Sequence, residues 1–120
     1  MVWIAVVAGT ALTAALALFY GRKRRARQLA FIKTYPFHPA LKRKVGAKYP
    51  HLSEEQTHLV FRALRDYFWM CNKAKRKLVA MPSQVVDDAW HEFILFTRAY
   101  QTFCSKALGR FLHHIPPPRR

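Results

Sequence analysis

The sequence predicts an all-α protein, with an N-terminal transmembrane helix followed by a small domain of about four helices. Three observations carry this. The first 20 residues, MVWIAVVAGTALTAALALFY, contain no charged side chain. Further along, apolar residues recur at spacings of three and four, the period of one helix face. No stretch combines period-two alternation with the turn signals that bound strands.

The elements follow in order. At about 1.5 Å rise per residue, a helix over residues 1–20 is roughly 30 Å long, enough to cross a hydrocarbon core. Residues 21–35 form a basic juxtamembrane segment through which this helix can run on, until Pro36 and Pro39 end it. A helical domain over 36–115 and a Pro/Arg tail over 116–120 complete the chain. Within the domain a short helix spans about Pro39 to Lys48. Ser53-Glu54-Glu55-Gln56 is a capping box that opens a second helix bearing Val60, Ala63, Leu64, Tyr67, Phe68 and Cys71. Pro82-Ser83 opens a third, with Val85, Val86, Ala89, Trp90, Phe93 and Ile94 as its apolar set and Asp87 and Asp88 near its positive end. Thr97 is the expected cap of a fourth, carrying Tyr100, Phe103, Cys104, Ala107 and Leu108. Gly109 fits a left-handed stop.

Size and charge bound the function. About 80 to 90 residues remain beyond the apolar helix, a core small enough to lean on a partner, a metal or a membrane. The net charge is +15, and Arg22, Lys23, Arg24, Arg25 and Arg27 supply five of these charges, leaving +10 elsewhere. Those five follow the apolar run with no counterpart before it, so the positive-inside rule puts the N-terminus outside and the domain in the cytoplasm. A cleaved signal, suggested by Ala15-Leu16-Ala17, would carry its charge before the run. Each basic residue at a membrane surface gains on the order of 1 kcal/mol from anionic lipid, so lipid headgroups are the expected partner of this segment. Lys42-Arg43-Lys44 with Lys48, and the cluster from Lys73 to Lys77, fall at predicted helix ends and suit solvated faces. No paired-cysteine finger, ribonucleoprotein aromatic motif or Gly-x-x-Gly clamp accompanies the charge, so no specific nucleic acid is expected.

The chemistry concentrates around VDDAWHEFIL, residues 85–94. Asp87 and His91, one turn apart at the edge of the apolar face, are spaced for the carboxylate to hold one imidazole nitrogen and free the other. Asp88 and Glu92 fall nearer solvent. Asp87, His91, Cys104 and His113 or His114 could supply a zinc set, without the close Cys-x-x-Cys or His-Glu-x-x-His spacing of a strong motif. The competing reading is architectural: Cys104 as a small buried apolar residue, and Trp90, Phe93, Tyr100 and Phe103 as core aromatics. Four glycines and no glycine-rich turn argue against a cysteine nucleophile with an oxyanion site. A cytoplasmic, reducing compartment disfavours a Cys71–Cys104 disulfide.

Val86-Asp87-x-x-Trp90-His91, followed by Tyr100, Cys104 and Gly109, resembles the motif of the glycine-rich domain-containing protein-like family. The resemblance covers about residues 81–115, and more loosely the helix beginning at Ser53. It implies a helical module, in which Phe93 replaces the second histidine of a Trp-His-x-His pattern and the glycine-rich segment is absent. The function expected from the whole sequence is a membrane-anchored interaction or scaffolding module with a protein partner, and the alternative is a zinc-binding, metal-stabilised or metal-dependent domain.

Overall fold

Helix α1 (Val2–Lys33) does not stop where its apolar stretch ends. In the computed structural model, which describes residues 1–75 and 77–114, it runs unbroken into the folded body of the protein. Residues 1–24 are exposed throughout; then Arg25, Gln28 and Leu29 become half-buried and Ile32 wholly buried, a stripe at helical spacing. A compact chain of this length would have a radius of gyration of about 14 Å. The observed 19.1 Å, with extents of 73 × 34 × 23 Å, reflects the projecting half of α1.

Four helices follow: α2 (Pro39–Lys48), α3 (Glu54–Ala74), α4 (Gln84–Leu95) and α5 (Thr97–Ala107), with no strand among the described residues. The expected all-α class and the count of about four helices beyond the first are both observed. The last turns of α1 pack on α3 and α5, while α4 lies against α2, α3 and α5. The starts of α2, α3 and α4 each have a side-chain cap. The His38 ring accepts a hydrogen bond from the Ala40 N–H ahead of α2. At α3 the capping box is complete: Gln56 N–H donates to Ser53 Oγ (3.1 Å) and Ser53 N–H donates to Gln56 Oε1 (2.8 Å). Ser83 Oγ accepts from Val86 N–H at α4.

The start of α5 differs from expectation. Phe96, not Thr97, is its N-cap, and no side chain bonds there. The cause is steric economy at the corner: α4 and α5 are separated by Phe96 alone, so Thr97 already lies in the first turn, and the Phe96 carbonyl accepts from Tyr100 N–H.

The core is aromatic. Phe93 is 2 % exposed and lies with its ring centroid 5.1 to 6.1 Å from those of Tyr35, Phe37, Phe68, Tyr100 and Phe103. Rings at such spacings add roughly 0.5 to 1.5 kcal/mol per pair beyond area burial. Tyr35 and Phe37 flank the turn after α1, so that turn is fixed by the same cluster. Phe61, also in the core, extends the α3 stripe to 61, 64, 68 and 71.

Asp88 departs from its expected solvent-facing position. Its carboxylate accepts from the Tyr49 hydroxyl and from Gln84 Nε2 (3.0 Å) and pairs with Lys48 Nζ (3.6 Å), tying the end of α2 to α4. Burial pushes its carboxyl up, but these three partners outweigh burial and hold it below the ordinary aspartate value. A depressed carboxyl contributes stability above its unfolded pKa of about 3.9, and that contribution is lost as pH falls through the lower folded value. Thermal unfolding followed by circular dichroism between pH 7 and 2 should therefore show a loss of wild-type Tm below about pH 4 that Asp88→Asn partly abolishes. Parallel acid curves for the two proteins would show that this latch contributes nothing.

Candidate functional site

The residues with chemistry gather where the N-terminal half of α4 meets the segment 109–114 that returns after α5. Gly109 makes the return possible. Its φ of +69° lies in the left-handed region, and its N–H donates to the carbonyls of Cys104 and Ser105. The chain then passes back over α4, where Asp87 Oδ1 and His114 Nε2 stand 2.8 Å apart, each side chain about one-fifth exposed. The His114 ring lies 4.7 Å from that of Trp90 and 6.0 Å from that of His91.

Beneath this pair a buried hydrogen-bond chain locks the returning segment. Trp90 Nε1 donates to the Tyr100 hydroxyl (3.1 Å), which in turn donates to the Leu112 carbonyl. Burial pushes the Tyr100 phenol far above its usual range, so it remains a neutral donor. Cys104, 1 % exposed, sits beside this chain, and burial raises its thiol pKa as well. Cys71 is likewise buried, raised and free; neither thiol is paired. Neutral thiols held in an apolar setting are poor nucleophiles and poor ligands.

The sequence-derived zinc set is thus divided by the fold. Asp87 and His114 touch, and the ring of His91 neighbours that of His114, but His91 itself is exposed and Asp87 bonds His114 in its place. The returning chain brings His114 closer to the carboxylate than a residue on the same helix. Cys104 faces the core, while His113 packs on Phe111 (4.8 Å). Among the described residues no three potential ligands converge as a metal site. Val86, Trp90 and Tyr100 are buried in the common core. The cations Arg22, Lys23, Arg24, Arg25 and Arg27 all lie on α1 itself; Lys23 Nζ rests 5.6 Å from the Phe19 ring, and Arg25 alone among them is half-buried. Arg24 lies over Gly109, where a Cβ would stand 2.8 Å from its Nη2.

The model of the UCP032817-like family matches residues 27–118, most of the chain. The protein belongs to the UCP032817-like family. No curated protein and no solved structure matches it. This corrects the resemblance to the glycine-rich domain-containing protein-like family. The pattern Val86-Asp87-x-x-Trp90-His91 combines core spacing with an acidic residue near a helix start, two features common among amphipathic helices in general. Position 93, where that resemblance places a second histidine, is the centre of the aromatic core. The UCP032817-like match begins at residue 27, inside α1, close to where that helix becomes buried.

This geometry makes the Asp87–His114 pair a clasp for the returning segment. Asp87→Ala and His114→Ala should each cost roughly 1 to 3 kcal/mol in chemical denaturation, as for one lost partner of a partly buried bond, with the double variant well below their sum. Trp90→Ala should cost about 3 to 5 kcal/mol. Addition of a chelator should leave the Tm unchanged; a fall in Tm that zinc restores would instead make the cluster a metal centre.

Proposed function

We propose that this UCP032817-like protein is a single-pass membrane protein whose helical module works at the cytoplasmic surface as an interaction or scaffolding unit. The observation that carries the reading is the continuity of α1. Its apolar half projects with none of its most apolar 18-residue stretch buried, so the protein's own core does not account for that surface. A bilayer does, at the length available. The five cations after Tyr20 supply the orientation, and Ala15-Leu16-Ala17 is the competing cleavage point.

Support for the interaction role comes from an open apolar groove of about 630 Å³ between the end of α1 and α5. Phe31, Tyr35, Phe96 and Phe103 line it, with Arg98 and Lys106 beside them. Those two cations complement an apolar segment of a partner protein flanked by acidic residues. Asp87, His91, Cys104 and the His113-His114 pair have their alternative use in zinc binding, which the chelation measurement tests.

The anchor is tested by alkaline carbonate extraction of membranes with sequencing of the mature N-terminus, and orientation by a reporter fused after Arg120. The protein should stay in the pellet with its apolar helix intact, and a reporter active only in the cytoplasm should work. Release into the supernatant, a mature N-terminus near Leu18, or activity only of an external reporter would overturn the reading.

A further inference from the structure

A second, polar cavity lies on the side of the module nearest the apolar half of α1. It has a volume of about 200 Å³, and Arg25, Gln28, Asn72, Lys75 and Arg110 line it. Arg24 adjoins it across Gly109, whose missing side chain leaves room for the guanidinium. Gln28 is oriented by its neighbour: Asn72 Nδ2 donates to Gln28 Oε1 (3.1 Å) and to the Ala107 carbonyl (2.7 Å). With its oxygen occupied, the Gln28 amide presents its Nε2 donor toward Gly109, 3.5 Å from where a Cβ would stand.

The bland account of these cations is that they neutralise helix ends, since the C-termini of α3 and α5 meet here. Arg110 does donate to the Lys75 carbonyl. Each C-terminus, however, carries only about half a negative charge. The three cations that line the cavity, Arg25, Lys75 and Arg110, against about one unit leave a surplus of about two, with Arg24 beside them at Gly109. The ion pairs among the described residues, Lys48–Asp88 and His114–Asp87, use none of them.

We propose that this cavity is a phosphomonoester site, with Arg25 and Arg110 as the principal ligands and Arg24, Lys75 and the Gln28 amide as supporting donors. A phosphomonoester carries about −1.5 to −2 at neutral pH, nearer the surplus than the single charge of a diester. Planar guanidinium groups match its oxygens in bidentate fashion. The cavity is smaller than the roughly 300 to 1,000 Å³ of pockets that enclose whole drug-sized molecules, so it suits a headgroup and not an acyl chain.

The height of the site indicates the source, on the basis of the membrane reading above. At about 1.5 Å per residue, Arg24 and Arg25 stand roughly 6 to 8 Å beyond Tyr20. That is the depth of the headgroup layer outside the hydrocarbon core, about 5 to 8 Å on each side. A lipid with a terminal phosphate, of the phosphatidic acid type, presents its monoester there. Occupancy would join α1, α3 and α5 at one point and couple the module to the composition of the leaflet.

Isothermal titration calorimetry on the full chain in neutral detergent micelles tests this with three probes: dioctanoyl phosphatidic acid, dioctanoyl phosphatidylserine and inorganic phosphate. Phosphatidic acid should bind one-to-one and about tenfold or more tighter than phosphatidylserine, with inorganic phosphate a weaker competitor. Arg25→Gln should weaken it about tenfold or more, the scale of one lost charge-assisted bond, with unchanged Tm, while Arg43→Gln, at an exposed position on α2, should not. Arg110→Gln also removes the bond to Lys75, so Arg25→Gln decides the matter if that variant unfolds. Equal weakening by Arg43→Gln, or none by Arg25→Gln, would overturn the site; phosphate binding as tight as phosphatidic acid would overturn the lipid source. Release on carbonate extraction would sink the anchor and the height argument, whereas the site itself stands or falls on the calorimetry.

Discussion

The structure depends on one helix meeting two different demands. The first half of α1 is apolar all round and finds no cover within the protein, whereas its last turns insert Ile32 into the core and bring Phe31 and Tyr35 to its edge. Full burial of an isoleucine-sized side chain is worth roughly 1.5 to 3 kcal/mol. In a domain this small that is a large share of the net stability, which is typically 5 to 15 kcal/mol. The end of α1 is therefore part of the module: a cut before residue 25 keeps the buried stripe of the helix with it, and a later cut opens the core.

From that constraint the rest of the packing follows. With α1 fixed, Tyr35 and Phe37 turn the chain under α4, and Phe93 becomes the point at which α3, α4, α5 and the post-α1 turn meet. Aromatic side chains supply much buried area per residue ordered, which is how about 85 residues can enclose a core without a disulfide among the described residues. Polar groups inside are matched: Trp90 to Tyr100, Tyr100 to Leu112, and Asn72 to Gln28 and Ala107. No buried side-chain nitrogen or oxygen among the described residues lacks a partner. Of these, the Tyr100 bond to Leu112 pins a segment that has no helix of its own to hold it.

Charge is distributed with the same economy. Two of the six carboxylates close the fold, Asp87 in the clasp at His114 and Asp88 in the latch at Lys48 and Tyr49, both on α4. Among the described residues, the cations at the α1 side of the module make no such ion pair. On the proposed reading, this asymmetry gives the protein one face that closes its own fold and another that meets phosphate.

The helices are legible in the amino-acid sequence, because their signals are local. The Ser53 capping box, the Ser83 cap, the proline stops and the Gly109 turn each act within a few residues, and the apolar stripes at three and four spacing mark the buried faces of α3, α4 and α5. Phe61 was legible on the same grounds, as the residue one turn before Leu64. Tertiary structure alone decided the partners. Asp87 has His91 one turn away, yet it bonds His114, because the reversal at Gly109 carries a residue 27 positions distant to a shorter reach than the helix surface offers. Asp88 is drawn to Tyr49, and Arg25 joins Lys75 and Arg110 around a cavity, for the same reason. Helical periodicity fixes which face a side chain occupies. Which distant segment crosses that face is set by the packing of the whole chain.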